Sequence, residues 1–326
     1  MNIRLAIPTL LVLLTACTDS DLPNGAEDET STGDESSTGD ESSTGGETST
    51  GDGDGDEMGD GDGDGDGDAG NLPTPTGDCP SFASGNADVT AGDLDFRTVK
   101  FWSDENAKSE GGALVIYWHG YGSGPDEALF GLSPAVIDQI TAEGGAVVAP
   151  YPASDVGQFP WFAVNGSPRQ DDMILADELV ACAIQELGVD PERIHSVGMS
   201  AGGLQTAAYA MARSRYIASV ATYSGGVFGM PEFEDPSNHF AAMIFHGGDT
   251  DVFGGVVNFK TLSTAWFNQL IENGNFAFMC DHGGGHSLPQ DVGDDVWSFF
   301  QAHPFGTEPS PYEAGLPASF PAYCVL

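Results

Sequence analysis

Gly198-Met199-Ser200-Ala201-Gly202-Gly203 decides the reading of the fold. It spells G-x-S-x-G plus one further glycine. An apolar run, Ile194-His195-Ser196-Val197, precedes it, and a helix-forming run starting Leu204-Gln205-Thr206-Ala207-Ala208 follows. A serine on a sharp strand-to-helix turn needs small neighbours, because strand and helix pack closely around it. Its hydroxyl then stands at the carboxyl end of a strand, and the free amides of the next helix point at any negative charge that develops there. Ser200 is therefore the candidate nucleophile.

Working outward, continuous apolar runs of strand length occur at 113–118, 146–149, 194–197, 219–223, 241–245 and 276–279, with a shorter alternating run at 96–101 expected as an early edge strand. Unbroken apolar strands belong to parallel sheets covered on both faces. Helical stretches at 172–187, 201–213, 258–273 and 292–302 alternate with them. The expectation is a mostly parallel, doubly wound α/β sheet with helices on both faces and its site at the carboxyl ends of the strands.

Serine needs a base to act as a nucleophile. His286, in Gly283-Gly284-Gly285-His286, follows the last expected strand, and the glycines permit a tight loop reaching back over the sheet; His282 is the rival. His119 and His246, each before a glycine at a strand end, read as loop braces, and His195 as a packed residue. The acid that orients the base lies between 200 and 286 in the order Ser, acid, His. Gly247-Gly248-Asp249-Thr250-Asp251 offers two; Asp251, further into the loop, is preferred and Asp249 is the alternative. Two preorganised amides are needed for an oxyanion. One is that of Ala201. The other comes from His119-Gly120-Tyr121-Gly122-Ser123-Gly124, with Tyr121 preferred and Gly122 the alternative. Trp161, in Gln158-Phe159-Pro160-Trp161-Phe162, could line an acyl or aryl pocket or simply pack in the core.

The chain carries a formal charge of −41, with 50 acidic residues against 9 basic ones. That balance disfavours nucleic acid and strongly anionic polymers as partners. Residues 1–17 read as a targeting segment: Arg4, an apolar stretch at 5–14, then Leu14-Thr15-Ala16-Cys17, which resembles a bacterial lipobox with Cys17 lipidated. Thr18 after the cysteine suggests export to the outer membrane or cell surface; an ordinary secretory signal cut nearby, giving an extracellular protein, is the alternative. Residues 18–78 hold 20 of the acidic residues and no Lys, Arg, Trp, Tyr or Phe. Ser31-Thr32-Gly33-Asp34-Glu35-Ser36 repeats as Ser37-Thr38-Gly39-Asp40-Glu41-Ser42, and a Gly-Asp tract runs over 51–68. Such a segment cannot offset the entropy of ordering and reads as a disordered acidic linker. Its carboxylates raise the question of calcium, but the apolar position that stacks calcium-binding repeats is missing. Residues 79–326 then form one catalytic domain. Cys79, Cys182, Cys280 and Cys324 are an even set in an exported domain, so two disulfides are expected, with three connectivities open; free buried thiols are the alternative, and the spacings match no metal site.

Trp118-His119-Gly120, Asp171-Asp172, Asp190-Pro191-Glu192-Arg193-Ile194 leading into the Ser200 turn, Gly284-Gly285-His286 and Phe299-Phe300-Gln301-Ala302-His303-Pro304 form an ordered set. It resembles the exported α/β-hydrolase esterases related to polyhydroxybutyrate depolymerases and feruloyl esterases, over about residues 96–304. The resemblance implies an α/β-hydrolase fold and a Ser-His-Asp esterase working through an acyl-enzyme on a small-molecule or polymeric ester. It implies no cofactor and no metal, and a monomer is expected. Two departures stand out: Tyr121 where many polymer-degrading relatives have cysteine, and Gly247-Gly248-Asp249-Thr250-Asp251 in place of the commoner Gly-Thr-Ala-Asp. Residues 306–326 are expected as an extended wrap. A peptidase or acyltransferase on the same scaffold, or a non-catalytic surface-binding protein, are the competing readings.

Overall fold

The computed structural model of the chain describes residues 72–104, 111–229 and 231–326. The expectations for the targeting segment, Cys17, and the linker up to residue 71 with its Gly-Asp tract lie outside the described residues, whereas residues 72–78, expected as linker, are described. Among the described residues, no helix is long and apolar enough to cross a membrane. They form eleven strands and six helices. The strands are β1 (Gly85–Val89), β2 (Arg97–Ser103), β3 (Leu114–Trp118), β4 (Ala146–Pro150), β5 (Ile194–Met199), β6 (Ser219–Tyr223), β7 (Ala241–His246), β8 (Val252–Phe253), β9 (Val257–Asn258), β10 (Ala277–Asp281) and β11 (Cys324–Val325). The helices are α1 (Ala128–Gly131), α2 (Pro134–Ala142), α3 (Asp171–Leu187), α4 (Ala201–Ala212), α5 (Phe259–Asn273) and α6 (Gly293–Ala302).

Nine strands make one sheet in the order β1-β2-β4-β3-β5-β6-β7-β10-β11. The block from β4 through β10 is parallel, β2 is antiparallel to both its neighbours, and β11 closes the far edge antiparallel to β10. The two-residue period of a strand sorts the core into two layers. Leu114, Ile116 and Trp118 of β3 join a cluster with Leu179 of α3, Ala207 of α4 and Trp266 of α5. Val115 and Tyr117 join the opposite cluster with Ile137 of α2 and Trp297 of α6. Both faces are thus apolar and covered, which is why these strands show no polar alternation.

All seven expected strands are present, within a residue or two at their ends. The early strand is not at the edge, because β1 pairs outside it. That strand, Gly85-Asn86-Ala87-Asp88-Val89, buries only Val89 and so has no apolar signature. Helix α2 was also absent from the expectations, although Ser133 caps it, accepting from the Val136 amide at 3.3 Å, and Pro134 starts it. The four cysteines pair as Cys79–Cys182 and Cys280–Cys324. These close loops of 103 and 44 residues, for which the chain-entropy account gives about 4–5 kcal/mol each at most. Contacts with the domain begin ahead of Cys79: Leu72 packs on the core, and the Thr76 amide donates to the buried Glu178 carboxylate at 2.9 Å. The terminal segment does wrap the domain, but it ends as β11, with Cys324 opposite Cys280.

Two buried histidines lock the layer around α6. His195 stacks on Phe300 at 4.7 Å and bonds the Ser219 hydroxyl at 2.8 Å. His303 donates from Nδ1 to the Phe299 carbonyl at 2.8 Å and accepts from Ser310 at 2.7 Å. Burial pushes His195 down to about 3 and His303 to about 4. Both are neutral in the fold but protonate at ordinary values once unfolded. Their stabilising contribution is therefore complete above pH ~6.5 and is lost as the pH falls toward 4. Urea unfolding followed by far-UV circular dichroism should show stability dropping from pH 7 to pH 5, with a shallower drop in His303→Gln. Identical pH dependence in the two proteins would contradict this role.

Candidate active site

Ser200 sits between β5 and α4 with φ 56° and ψ −116°, a backbone conformation that few non-glycine residues adopt. Two features hold it there. The Ser200 amide donates to the Tyr223 carbonyl at 2.8 Å. The flanking glycines let strand and helix meet: a Cβ at Gly202 would fall 1.7 Å from the Trp118 carbonyl oxygen, and one at Gly198 would fall 2.4 Å from the Gly202 oxygen. Both positions of the G-x-S-x-G pattern are therefore fixed by backbone contact.

The Ser200 hydroxyl lies 2.9 Å from His286 Nε2, and His286 Nδ1 lies 2.8 Å from Asp251 Oδ1. Because a carboxylate only accepts, Nδ1 carries the proton and Nε2 is free to accept from the serine. Asp251 is fully buried. Its other oxygen accepts from the Gly247 amide at 2.9 Å and the Ser224 hydroxyl at 2.8 Å. Burial alone would raise this carboxyl; the hydrogen bonds from His286, Gly247 and Ser224 outweigh it and hold it below the usual carboxylate range. Phe259 stacks on the imidazole at 4.6 Å, and Phe253 lies tilted against it at 5.9 Å.

The acid and histidine loops are tied together by backbone. The Gly285 amide donates to the Gly247 carbonyl at 2.9 Å, and the His282 amide to the His246 carbonyl at 3.0 Å. A Cβ at Gly247 would fall 1.8 Å from the Gly285 oxygen. Of the two acids offered by this loop, Asp249 is outside the chain of hydrogen bonds: it is exposed and pairs with Lys260 at 2.7 Å, which lowers its pKa. His282 is likewise outside it, its Nδ1 accepting from the Gly284 amide at 3.3 Å. His246 is buried and its Nδ1 accepts from the Gly248 amide at 3.1 Å, a brace as expected.

Ala201 is the first residue of α4, where a helix has no internal acceptor for its amide. The loop carrying Tyr121 and Gly122 approaches from β3: a Cβ at Gly120 would lie 3.5 Å from the Ser200 Cβ. The Tyr121 side chain is half exposed and meets Phe159 at 5.4 Å and Phe253 at 6.1 Å. Three loops thus supply an aromatic rim beside His286. Trp161 does not belong to it, contrary to the suggested pocket role. It is fully buried, edge-on to Trp118, and its indole N–H donates to the His119 carbonyl at 3.0 Å. The sequence reading missed Ser224, Phe253 and Phe259. Ser224, directly after an apolar strand, had a positional signal; the two phenylalanines had none, because their contact with His286 depends on tertiary folding. Among the described residues the one cluster with metal-ligand spacing is Cys79, Glu178 and Cys182, and its cysteines are joined in a disulfide.

No protein-family model matches the chain, and no curated protein does. Solved structures do. The chain is similar to native pOPH at 16% identity and a TM-score of 0.60, covering 76% of this chain and 96% of that one. It is similar to native sOPH at 17% identity and a TM-score of 0.57, covering 78% and 96%. A thermostable esterase matches at 16% identity and a TM-score of 0.51, covering 67% and 62%. At such identities the likeness is one of fold, and with the strand order above it makes this an α/β-hydrolase fold.

The two aspartates of the acid loop should behave unequally. If Ser200, His286 and Asp251 act as a triad, Asp251→Asn is expected to cut kcat by about 10³–10⁴-fold, because the histidine loses its tautomer and the support for its charged form. Asp249→Asn should stay within about twofold, since an exposed pair contributes little. Steady-state rates for the two variants, with melting curves as the folding control, check this; equal defects would contradict it.

Proposed function

We propose that this protein is an exported, lipid-anchored serine esterase that hydrolyses carboxylic esters through an acyl-enzyme. The observation that carries the reading is the continuous hydrogen-bonded chain Ser200–His286–Asp251 at the carboxyl end of the sheet. Ser200 Oγ attacks the ester carbonyl carbon while His286 Nε2 takes its proton. The carbonyl oxygen becomes an oxyanion between the amides of Ala201 and Tyr121. His286 gives that proton to the leaving alkoxide, and the C–O bond of the ester breaks. A water then attacks the acyl carbonyl while His286 takes its proton; the bond from that carbon to Ser200 Oγ breaks, His286 returns the proton to Ser200 Oγ, and the acid leaves. Asp251 keeps the ring oriented and supports its charged form throughout.

Support for an ester substrate comes from the ordered motifs shared with polyhydroxybutyrate depolymerase-like and feruloyl esterase-like enzymes, and from the aromatic rim of Tyr121, Phe159 and Phe253 beside the histidine. Support for export and anchoring comes from the lipobox-like Leu14-Thr15-Ala16-Cys17, and the acidic linker would hold the catalytic domain off the membrane. The paired cysteines fit an oxidising compartment.

Ser200→Ala should abolish hydrolysis of short p-nitrophenyl esters, by roughly 10⁵–10⁶-fold, with the melting temperature unchanged. Turnover near the wild-type rate in that variant would overturn the assignment. Cys17→Ser should move the protein from the membrane to the soluble fraction, or leave an uncleaved precursor, when cells are fractionated. Unaltered metabolic labelling with a fatty acid in Cys17→Ser would contradict the anchor.

A further inference from the structure

Between β3 and α1 lies a carboxylate that the reaction as described does not use. Glu127 ends the helical turn Pro125–Glu127 and is half-buried. Its Oε1 accepts from the Gly120 amide at 2.9 Å and from the Tyr117 hydroxyl at 3.3 Å. Both donors lie on β3 or in the loop that follows it and carries Tyr121.

The other side of the Gly120 residue is held as firmly. Its carbonyl accepts from the Ser123 amide at 3.2 Å and from His119 Nδ1 at 2.9 Å. Burial keeps His119 neutral by lowering its pKa, and the Trp161 indole fixes the His119 carbonyl. A trans peptide is planar, so its N–H points opposite to its C=O. Pinning the Gly120 carbonyl therefore aims the Tyr121 amide, and pinning the Gly120 amide stops the residue from rotating about the bonds that flank that plane. The pinned residue is next to the nucleophile: the position of a Gly120 Cβ is 3.5 Å from the Ser200 Cβ and 3.4 Å from Glu127 Oε2. An oxyanion donor is worth most when it needs no reorganisation as charge develops.

We propose that Glu127 is a positioning residue for the oxyanion site: by holding the Gly120 amide it keeps the Tyr121 N–H aimed at the place where the ester oxygen becomes an anion. This rests on the serine-esterase reading above. Acting through Gly120, Glu127 should show its loss in kcat and leave KM alone. What matters is where the acceptor atom sits. Glutamine keeps an acceptor oxygen at the same reach, which can still accept from the Gly120 amide and the Tyr117 hydroxyl. Aspartate keeps the charge but draws the oxygen back by one methylene.

The test compares wild type, Glu127→Gln, Glu127→Asp and Glu127→Ala. It uses kcat and KM on a p-nitrophenyl ester, melting curves, and labelling of Ser200 by a fluorophosphonate. Glu127→Gln should keep kcat within about threefold of wild type. Glu127→Asp and Glu127→Ala should lose about 10–100-fold in kcat with KM within about threefold, less than removing an oxyanion donor outright. If Glu127→Ala does not fold, the Gln and Asp variants carry the comparison alone. Unchanged kcat in Glu127→Asp, or a loss in Glu127→Gln as large as in Glu127→Asp, overturns the proposal while labelled Ser200 leaves the esterase reading standing. Wild-type turnover without labelling of Ser200 removes that reading, and the proposal with it.

Discussion

The close approach of α4 to the end of β3 is the constraint on which the rest of the site depends. With only hydrogen at Gly202, the helix backbone can rest against the Trp118 carbonyl. That contact forces the chain to turn within one residue, and Ser200 takes the strained conformation that results. The same contact brings the β3 loop, Ser200 and the helix N-terminus into one place. Strain at Ser200 is affordable because β5 and α4 are both deeply packed, β5 being buried along its whole length.

A second layer of order comes from backbone rather than side chains. The acid and histidine loops follow β7 and β10, which are adjacent parallel strands with Phe245 opposite Cys280 and His246 opposite Asp281. Their register sets the two loops side by side, and the Gly247–Gly285 contact then joins them. The Cys280–Cys324 disulfide lies at the root of the histidine loop, so the chain terminus and the site share an anchor. Electrostatics follows from this geometry. A buried carboxylate with three hydrogen-bond donors stays ionised, and an ionised acid is what a histidine needs when it becomes charged.

Much of this was legible in the sequence because the relevant signals are local. Continuous apolar runs marked the central strands, and the glycines around Ser200 and ahead of His286 marked turns that only glycine tolerates. Asp251 could be preferred over Asp249 but not separated from it, since both lie in one short loop and their difference is burial against exposure to Lys260. The cysteine pairing was open because it depends on which strands become neighbours. Trp161 was left open between a pocket and the core for a related reason: an aromatic cluster reads alike whether it faces a pocket or, as here, packs in the core. β1 and β11 were invisible because edge strands need little apolar sequence, and Phe253, Phe259 and Glu127 act only through tertiary contact.

The most direct test of the account is chemical trapping of the acyl-enzyme. The protein is mixed with a p-nitrophenyl ester, quenched in acid within milliseconds, and its peptides are mapped by mass spectrometry. The account predicts a burst of p-nitrophenol and an acyl group on the peptide containing Ser200, absent in Ser200→Ala. Turnover with the acyl group on another residue, or sustained turnover by Ser200→Ala, would contradict it.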